Sequence, residues 1–426
     1  MITPDKVKNY VKKAFPHFGI NKQFQITRLI YETAKRERLP LENIKKDISK
    51  YEKFDCLKRY LVDRRYPGLS IDERNKKLYL PQLQINPKCE TKIGKLSVSP
   101  KNIYIEESVK SSFLANRFKD KFPKAKFAII PSIKSFIKDR KFSISDYNKR
   151  QDNFFIIRER FDFFKICPCT KSAKRCGYHI FNLGMGCVYE CTYCYLQEYT
   201  NSPGIIIPAN IEDFFDAFKS YKHNIRLGTG EFTDSLALDD ITGFSPMLID
   251  FFKNYPESTF EFKTKSNNIK ALLLAKPSKN IVIGWSLNPQ KIINQNEFYS
   301  TSLAERIKAA KDCIASGYSV AFHFDPIIYY DGWSKDYKQV VDLIFDTIPD
   351  KHIKWISLGT LRFSPVLKKI IENRFPGNTI LDGELFLGFD NKMRFSDKVR
   401  YGIYENMRGW IKQRSKGPFV YTCMER

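Results

Sequence analysis

Residues 187–197 read CVYECTYCYLQ and set Cys187, Cys191 and Cys194 at the spacing C-x3-C-x2-C. Three thiolates so spaced can hold three irons of a [4Fe-4S] cube and leave the fourth iron open to a small chelating ligand. A structural zinc site asks for four protein ligands, usually as two C-x2-C pairs. No fourth cysteine follows closely on the C-terminal side, so an open cluster fits better, with zinc-bound or merely buried thiols as the alternative. The run IFNL at 180–183 reads as a short strand, and Gly184 and Gly186 loosen its exit. A cysteine loop just after a strand belongs at the end of a parallel barrel or sheet, where active sites collect.

This stretch resembles the radical S-adenosylmethionine enzymes, whose hallmark is C-x3-C-x2-C with an aromatic residue before the last cysteine, here Tyr193. The resemblance implies a cluster whose open iron chelates the methionine amino and carboxylate groups. One electron would then cleave the sulfonium to a 5'-deoxyadenosyl radical. It also implies an external reductant such as flavodoxin or ferredoxin.

The elements that must position this loop come from a chain of 426 residues, enough for two or three domains and ample core. No apolar run reaches the roughly 18 residues of a membrane span, and the first ten residues, MITPDKVKNY, lack an apolar signal core. These features predict a cytoplasmic protein. Ten cysteines in so long a chain are too few and too clustered for a disulfide scaffold. Net charge is +25 and uneven: residues 1–165 hold 39 Lys and Arg against 19 Asp and Glu. A basic front half with interleaved Tyr and Phe suggests a polyanionic partner, most plausibly nucleic acid and DNA in particular. A Lys-rich surface without a partner is the alternative.

Along the chain, residues 1–65 carry helical stripes at Val7, Tyr10, Val11 and Ala14, at Ile26, Leu29, Ile30 and Ala34, and at Ile44, Ile48 and Tyr51. Lys and Arg fill the outer faces, which suits either a docking module or scaffold helices. Scattered Pro and Gly over 66–100 predict a linker with one or two short strands, such as 77–80. Residues 101–176 read as a small α/β lobe with a Cys-rich connector: strands at 103–105, 128–130 and 154–157, and a helix over 108–121. From 177 to 358 strands (178–183, 224–227, 259–263, 281–286, 319–324, 353–358) alternate with helices (210–221, 245–254, 267–275, 301–316, 334–348). Repeated βα units argue for parallel strands with covering helices, and six of them fit a partial (β/α)6 barrel of the radical S-adenosylmethionine type. The fold class is therefore α/β, with the basic, mainly helical stretch 1–100 in front and an αβ extension over 359–426 behind, helical near 364–373 and 401–414.

Later stretches narrow the likeness. GTGEFTDSLALDDITG (228–243), EFKTKS (261–266), GWSLNP (284–289), SLAERIKAAKDCIASGY (302–318), AFHFDPI (321–327) and RYGIY (400–404) follow the cysteine loop in an order similar to the spore photoproduct lyase family. The likeness spans about residues 103–426. It implies repair of a thymine dimer in DNA by a carbon–carbon lyase, with a cysteine returning a hydrogen atom to the product radical. It implies cluster ligation by Cys187, Cys191 and Cys194. Lys265 and Ser286 would contact S-adenosylmethionine, and Glu231 would meet its amino group. Tyr193 and Tyr195 match tyrosines beside the last cysteine, the latter a member of the hydrogen relay. Asp325 falls where the family has a small residue near the cofactor.

One position departs. Phe232 stands where the family has its hydrogen-donating cysteine, and phenylalanine has no hydrogen atom to give. Another cysteine could reach the site, Tyr195 could use a different relay, or the substrate could differ, RNA or a peptide for example. Cys167, Cys169 and Cys176, in CPCTKSAKRC, are candidates for a second metal site, with Cys423 or His179 as a further ligand, for a redox pair, or for ordinary thiols. A non-catalytic, metal-containing nucleic-acid-binding protein is the reading from another class.

Overall fold

The computed structural model describes residues 2–68, 70, 78–170, 173–198, 203–221 and 224–425. They form two compact units, one of residues 1–91, 328–330 and 361–402, the other of 92–327, 331–360 and 403–426.

The first unit begins with four helices, α1 (Pro4–Ala14), α2 (Ile20–Glu37), α3 (Leu41–Ile48) and α4 (Phe54–Arg65). Most of the stripe residues read from the sequence form its core: Val7, Val11, Ile26, Leu29, Ile30 and Ile44 are fully buried, Tyr10 and Tyr51 are partly buried, and Ala14 is exposed. Pro40 caps α3, so the chain breaks where proline cannot continue the preceding helix. The basic residues do not all face outward. Arg28 and Arg65 are buried and share Glu32, with Lys368 on its Oε1 at 2.6 Å and Glu372 closing on Arg28. Of the expected strand at 77–80, Lys77 lies outside the described residues. Leu78 to Leu80 pair with no strand; Leu78, Leu80, Leu83 and Ile85 instead pack on the helical core. Helix Pro365–Arg374 completes the unit, and Arg394 and Arg400 of the basic tail turn inward to Asp390 and Asp397.

Among the described residues the second unit carries two large sheets and the two-stranded pair of Glu190–Cys191 with Glu297–Phe298. In chain order its strands are β1 (Asn102–Glu106), β2 (Lys126–Ile130), β3 (Asn153–Ile157), β4 (Phe164–Ile166), β5 (Tyr178–Phe181), β6 (Glu190–Cys191), β7 (Ile205–Pro208), β8 (Arg226–Thr229), β9 (Thr259–Thr264), β10 (Ile281–Ser286), β11 (Glu297–Phe298), β12 (Ser319–Ile327) and β13 (Ile353–Thr360). Strands β14 to β16 belong to the first unit (Arg362–Phe363, Phe386–Leu387, Met393–Arg394), and β17 (Phe419–Thr422) returns to the second. The small lobe is a parallel sheet in the order β2-β1-β3-β7, its last strand arriving from beyond the cysteine loop. The larger sheet runs β17-β13-β12-β10-β9-β8-β5-β4. All six strands expected from the sequence are present and parallel, with β17 added parallel at one edge and β4 antiparallel at the other. This curved sheet is the partial barrel.

Helices cover its outer face, as apolar strand runs require. Helix Leu303–Ala315 starts with a capping box between Ser302 and Glu305 and buries Cys313. The interior is polar in part: His323 bridges Glu261 and Ser357 at 2.6 Å each, all three buried. Among the described residues no helix is long and apolar enough to cross a membrane.

Candidate active site

The cysteine loop leaves β5 and is moored on three sides. Met185 pairs with Ile206 of β7 in both directions, at 2.9 and 2.8 Å. Gly186 adopts φ +96°, a left-handed conformation open to glycine, and its N–H donates to the carbonyl of Phe232 at 2.9 Å. Strand β6 pairs antiparallel with β11, which sets Cys191 opposite Glu297.

Three side chains hold the loop's own carbonyls, beginning with Gln151, which donates to that of Val188 at 2.5 Å. Arg150, 2% exposed, donates to the carbonyls of Cys187 (3.0 Å) and Tyr189 (2.8 Å) and grips both oxygens of Glu190 (3.0 and 2.8 Å). The Gln197 amide donates to the carbonyls of Cys191, Thr192 and Cys194 at 3.2, 2.9 and 3.0 Å. Every second or third residue of the loop is thus fixed from outside, as a rigid ligand set needs. The sequence reading missed Arg150. Its partners lie 37 to 40 residues away, and no spacing rule links them.

Cys191 is buried and Cys187 and Cys194 are partly so. Burial pushes the Cys187 thiol up to about 12, with Asp234 and Cys194 adding to it and the Tyr189 N–H opposing. Burial also raises Cys191, which senses Lys265, Glu297, Cys194 and Cys187. The three thiols are thus close enough to feel one another. Among the described residues no group of three or more His, Cys, Asp and Glu side chains is already drawn into a single-ion site. The donor chemistry of the three cysteines fits an iron–sulfur cube: three soft thiolates, a moored backbone and an adjacent ammonium to offset their charge.

That ammonium belongs to Lys265, just past the end of β9. Its backbone N–H donates to Asp234 Oδ2 at 2.7 Å, and its Nζ lies 5.9 Å from the centre of the Tyr193 ring. Asp234 also accepts from Leu236 N, Ala237 N and Thr264 Oγ1, at 3.0, 2.9 and 2.6 Å, so it organises the turn. Ser286 ends β10, buried, with its carbonyl held by Arg306 at 2.8 Å. Asp325, partly buried, lies near the end of β12. Lys265, Ser286, Asp325, Glu231 and the cysteine loop all sit at or beyond the C-terminal ends of parallel strands, so the topology gathers them at one mouth.

The two tyrosines separate. Tyr193 is buried and its hydroxyl donates to Glu297. Glu297 also receives Asn288 (2.8 Å) and Arg306 (2.7 Å), all three fully or nearly buried. Burial alone would raise the Glu297 carboxyl; Arg306 and Lys265, with the hydrogen bonds from Tyr193 and Asn288, bring it down to about 2. Tyr193 is therefore anchored in an ion network. Tyr195 is 40% exposed, donates to the carbonyl of Glu231, and stands edge-on to Phe232 with centroids 6.2 Å apart. Phe232 is 8% exposed and carries the Lys165 ammonium 4.8 Å from its ring centre.

Glu231 follows Gly230, where an added Cβ would stand 2.7 Å from the Lys263 carbonyl. Its Oε2 is buried and has no hydrogen-bond partner. Burial pushes its carboxyl up to about 7, aided by Asp162 and opposed by Lys165 and Lys263. The protonated folded form is favoured, so this group's contribution is full below about pH 4.5 and lost as pH rises through about 7. Glu231→Gln is therefore expected to raise the thermal midpoint relative to the parent more near pH 8 than near pH 5. Melting curves at the two pH values check this; an equal difference at both would refute it.

A family model described as spore photoproduct lyase matches residues 98–408. Spore photoproduct lyase of Clostridium acetobutylicum is 27% identical over 226 residues, which cover 51% of this chain and 65% of that protein. A solved spore photoproduct lyase complexed with dinucleoside spore photoproduct superposes with TM-score 0.66 at 23% identity, over 76% of this chain and 99% of the other. A solved mutant of spore photoproduct lyase with bound AdoMet and dinucleoside spore photoproduct gives 0.65 at 22% identity, over 76% and 98%. The structural likeness establishes a common fold.

Proposed function

The chain belongs to the spore photoproduct lyase family, and from that membership we propose that it is a radical S-adenosylmethionine enzyme acting on a lesion in nucleic acid, DNA in particular. The observation that carries this reading is the moored C-x3-C-x2-C loop at the mouth of a parallel partial barrel, with Lys265 beside it. Cys187, Cys191 and Cys194 would hold a [4Fe-4S] cluster. When bound, cluster and S-adenosylmethionine together supply a 5'-deoxyadenosyl radical to a nearby C–H bond.

The residues do the positioning. The Lys265 ammonium offers a charge to the methionine carboxylate, and the Ser286 hydroxyl a hydrogen bond at the adjacent strand end. The Glu231 Oε2, buried and otherwise unpaired, is suited to the methionine amino group. Asp325 flanks the same mouth. Tyr195, held by the Glu231 carbonyl and in contact with Phe232, is the exposed phenol and takes the relay role; Tyr193 secures the cysteine loop through Glu297. A damaged step costs less to extrude than a sound one, which helps the lesion reach this mouth. The basic first 165 residues supply the attraction for the phosphate backbone, and a small electron-transfer protein supplies the electron.

The test is anaerobic reconstitution with iron and sulfide, then dithionite and S-adenosylmethionine, with 5'-deoxyadenosine measured in the presence and absence of lesion DNA. Cys191→Ala is expected to lower the product by at least about a thousandfold, to background. Absence of 5'-deoxyadenosine from the parent protein would end the proposal. Phe232 favours a second reading, the same radical chemistry on a different substrate such as RNA or a peptide. It predicts cofactor cleavage without thymine recovery.

A further inference from the structure

Four cysteines outside the active-site loop come together where the two edges of the large sheet approach. Cys167 directly follows β4, the strand at one edge, and Cys423 directly follows β17, the strand at the other. The segments after these strands are joined. Thr170 N–H and Oγ1 point to the Met424 sulfur at 3.5 and 3.9 Å, and Lys174 N–H donates to the Glu425 carbonyl at 2.8 Å. Cys423 N–H in turn donates to the Leu358 carbonyl in β13 at 2.8 Å, and Cys167 N–H to the Tyr178 carbonyl at the start of β5 at 2.9 Å. The cysteines that leave the far end of β5 are the other set, so Cys167 is no neighbour of the radical mouth.

The Cys167 and Cys169 sulfurs are 3.7 Å apart. Two thiolates on one tetrahedral zinc, each about 2.3 Å from the metal, stand about 3.8 Å apart. Burial first, then the charges of Cys169, Cys423 and Cys176, push the Cys167 thiol up. Tyr421, two residues before Cys423, senses Cys176 as well. None of the four is bonded in a disulfide, and Cys176 is exposed on irregular chain.

We infer that Cys167, Cys169, Cys176 and Cys423 form a structural zinc site that clasps the two edges of the partial barrel. The first pair already has the spacing of two corners of the tetrahedron. No set of three ligands among the described residues is preformed for an ion, so metal entry draws Cys176 and Cys423 inward. Four thiolates complete the shell with no open position, which makes the site structural and not catalytic. Binding to the folded clasp alone adds to stability by mass action.

The test uses the full chain carrying Cys187→Ala, Cys191→Ala and Cys194→Ala, so that no active-site cluster obscures the spectrum. Titration with cobalt(II) is expected to give about one equivalent bound, with intense sulfur-to-metal charge transfer and the visible bands of a tetrahedral ion. Zinc is expected to displace the cobalt and raise the melting midpoint. Adding Cys167→Ser with Cys169→Ser, or Cys423→Ser alone, is expected to abolish both the bands and the shift while the metal-free melt stays cooperative. No tetrahedral spectrum, or a spectrum indifferent to these serines, overturns the inference. So does a count of about eight irons on the otherwise unaltered protein, which would mean a second cluster in that place. None of these readouts depends on radical chemistry, so the active-site proposal stands or falls separately.

Discussion

Glu297→Gln is expected to destabilise the protein by about 3–5 kcal/mol, the cost of removing one partner from a buried ion pair. The carboxylate is 1% exposed, and Arg306, its nearest cation, is fully buried. Without it Arg306 keeps only the carbonyls of Thr301 and Ser286 and the Ser300 hydroxyl as acceptors. The Tyr193 hydroxyl and the Asn288 amide would face an amide that must donate as well as accept. The Lys265 ammonium would lose its largest favourable neighbour. Because Glu297 also pairs with Cys191 through the backbone, iron retained after reconstitution should fall with stability. Urea melts of the metal-free chain measure the first effect and iron analysis the second. A loss below about 1 kcal/mol, the range of exposed pairs, would mean that water reaches this network.

The second large effect concerns Phe232→Cys. On the proposed reading with a thymine dimer as the lesion, the parent protein is expected to cleave the cofactor but carries Phe232 where the resemblance implies a hydrogen-donating cysteine. The variant is expected to raise thymine recovered per 5'-deoxyadenosine on the order of tenfold, a change of about 1.4 kcal/mol in the partition of the product radical. The geometry is favourable: Tyr195 already meets this side chain edge-on, and both lie beside the loop that carries the cluster ligands. Trimming a buried ring leaves a cavity and costs about 2–4 kcal/mol, so Phe232→Ser serves as the matched control that leaves a comparable hole without a transferable hydrogen. Equal recovery from the two variants would favour the reading in which the substrate is not this dimer.

The barrel was legible because its strands are apolar runs separated by helical stripes, and burial on both faces writes that pattern directly into composition. The spacing of Cys187, Cys191 and Cys194 was visible because like donors stand close in the chain, and the fold sets all three on one moored loop. The ion networks were not. Arg150 meets Glu190 and Arg306 meets Glu297 only after the chain has folded, and either arginine reads as one more positive charge on a basic chain. Tyr193 shows the same limit: its position beside Cys194 was visible, but its hydroxyl is committed to Glu297 by a pairing of strands some hundred residues apart. The alternation at Leu78 and Leu80 suggested a strand, yet a helical core can take up such residues as well as a sheet can. Arg28 and Arg65 were counted among outward charges because Glu372, which with Glu32 offsets the buried cations, lies some three hundred residues downstream.

Arg150 belongs to the small lobe, next to β3, yet it grips the peptide groups around the cysteines. A grafted CVYECTYCYLQ segment would keep the Gln197 hydrogen bonds but lose the Arg150 grip on the carbonyls of Cys187 and Tyr189. Transplanting this chemistry to another scaffold thus means moving the lobe with it, and a search for remote relatives should ask for an arginine reaching this loop before it counts cysteines.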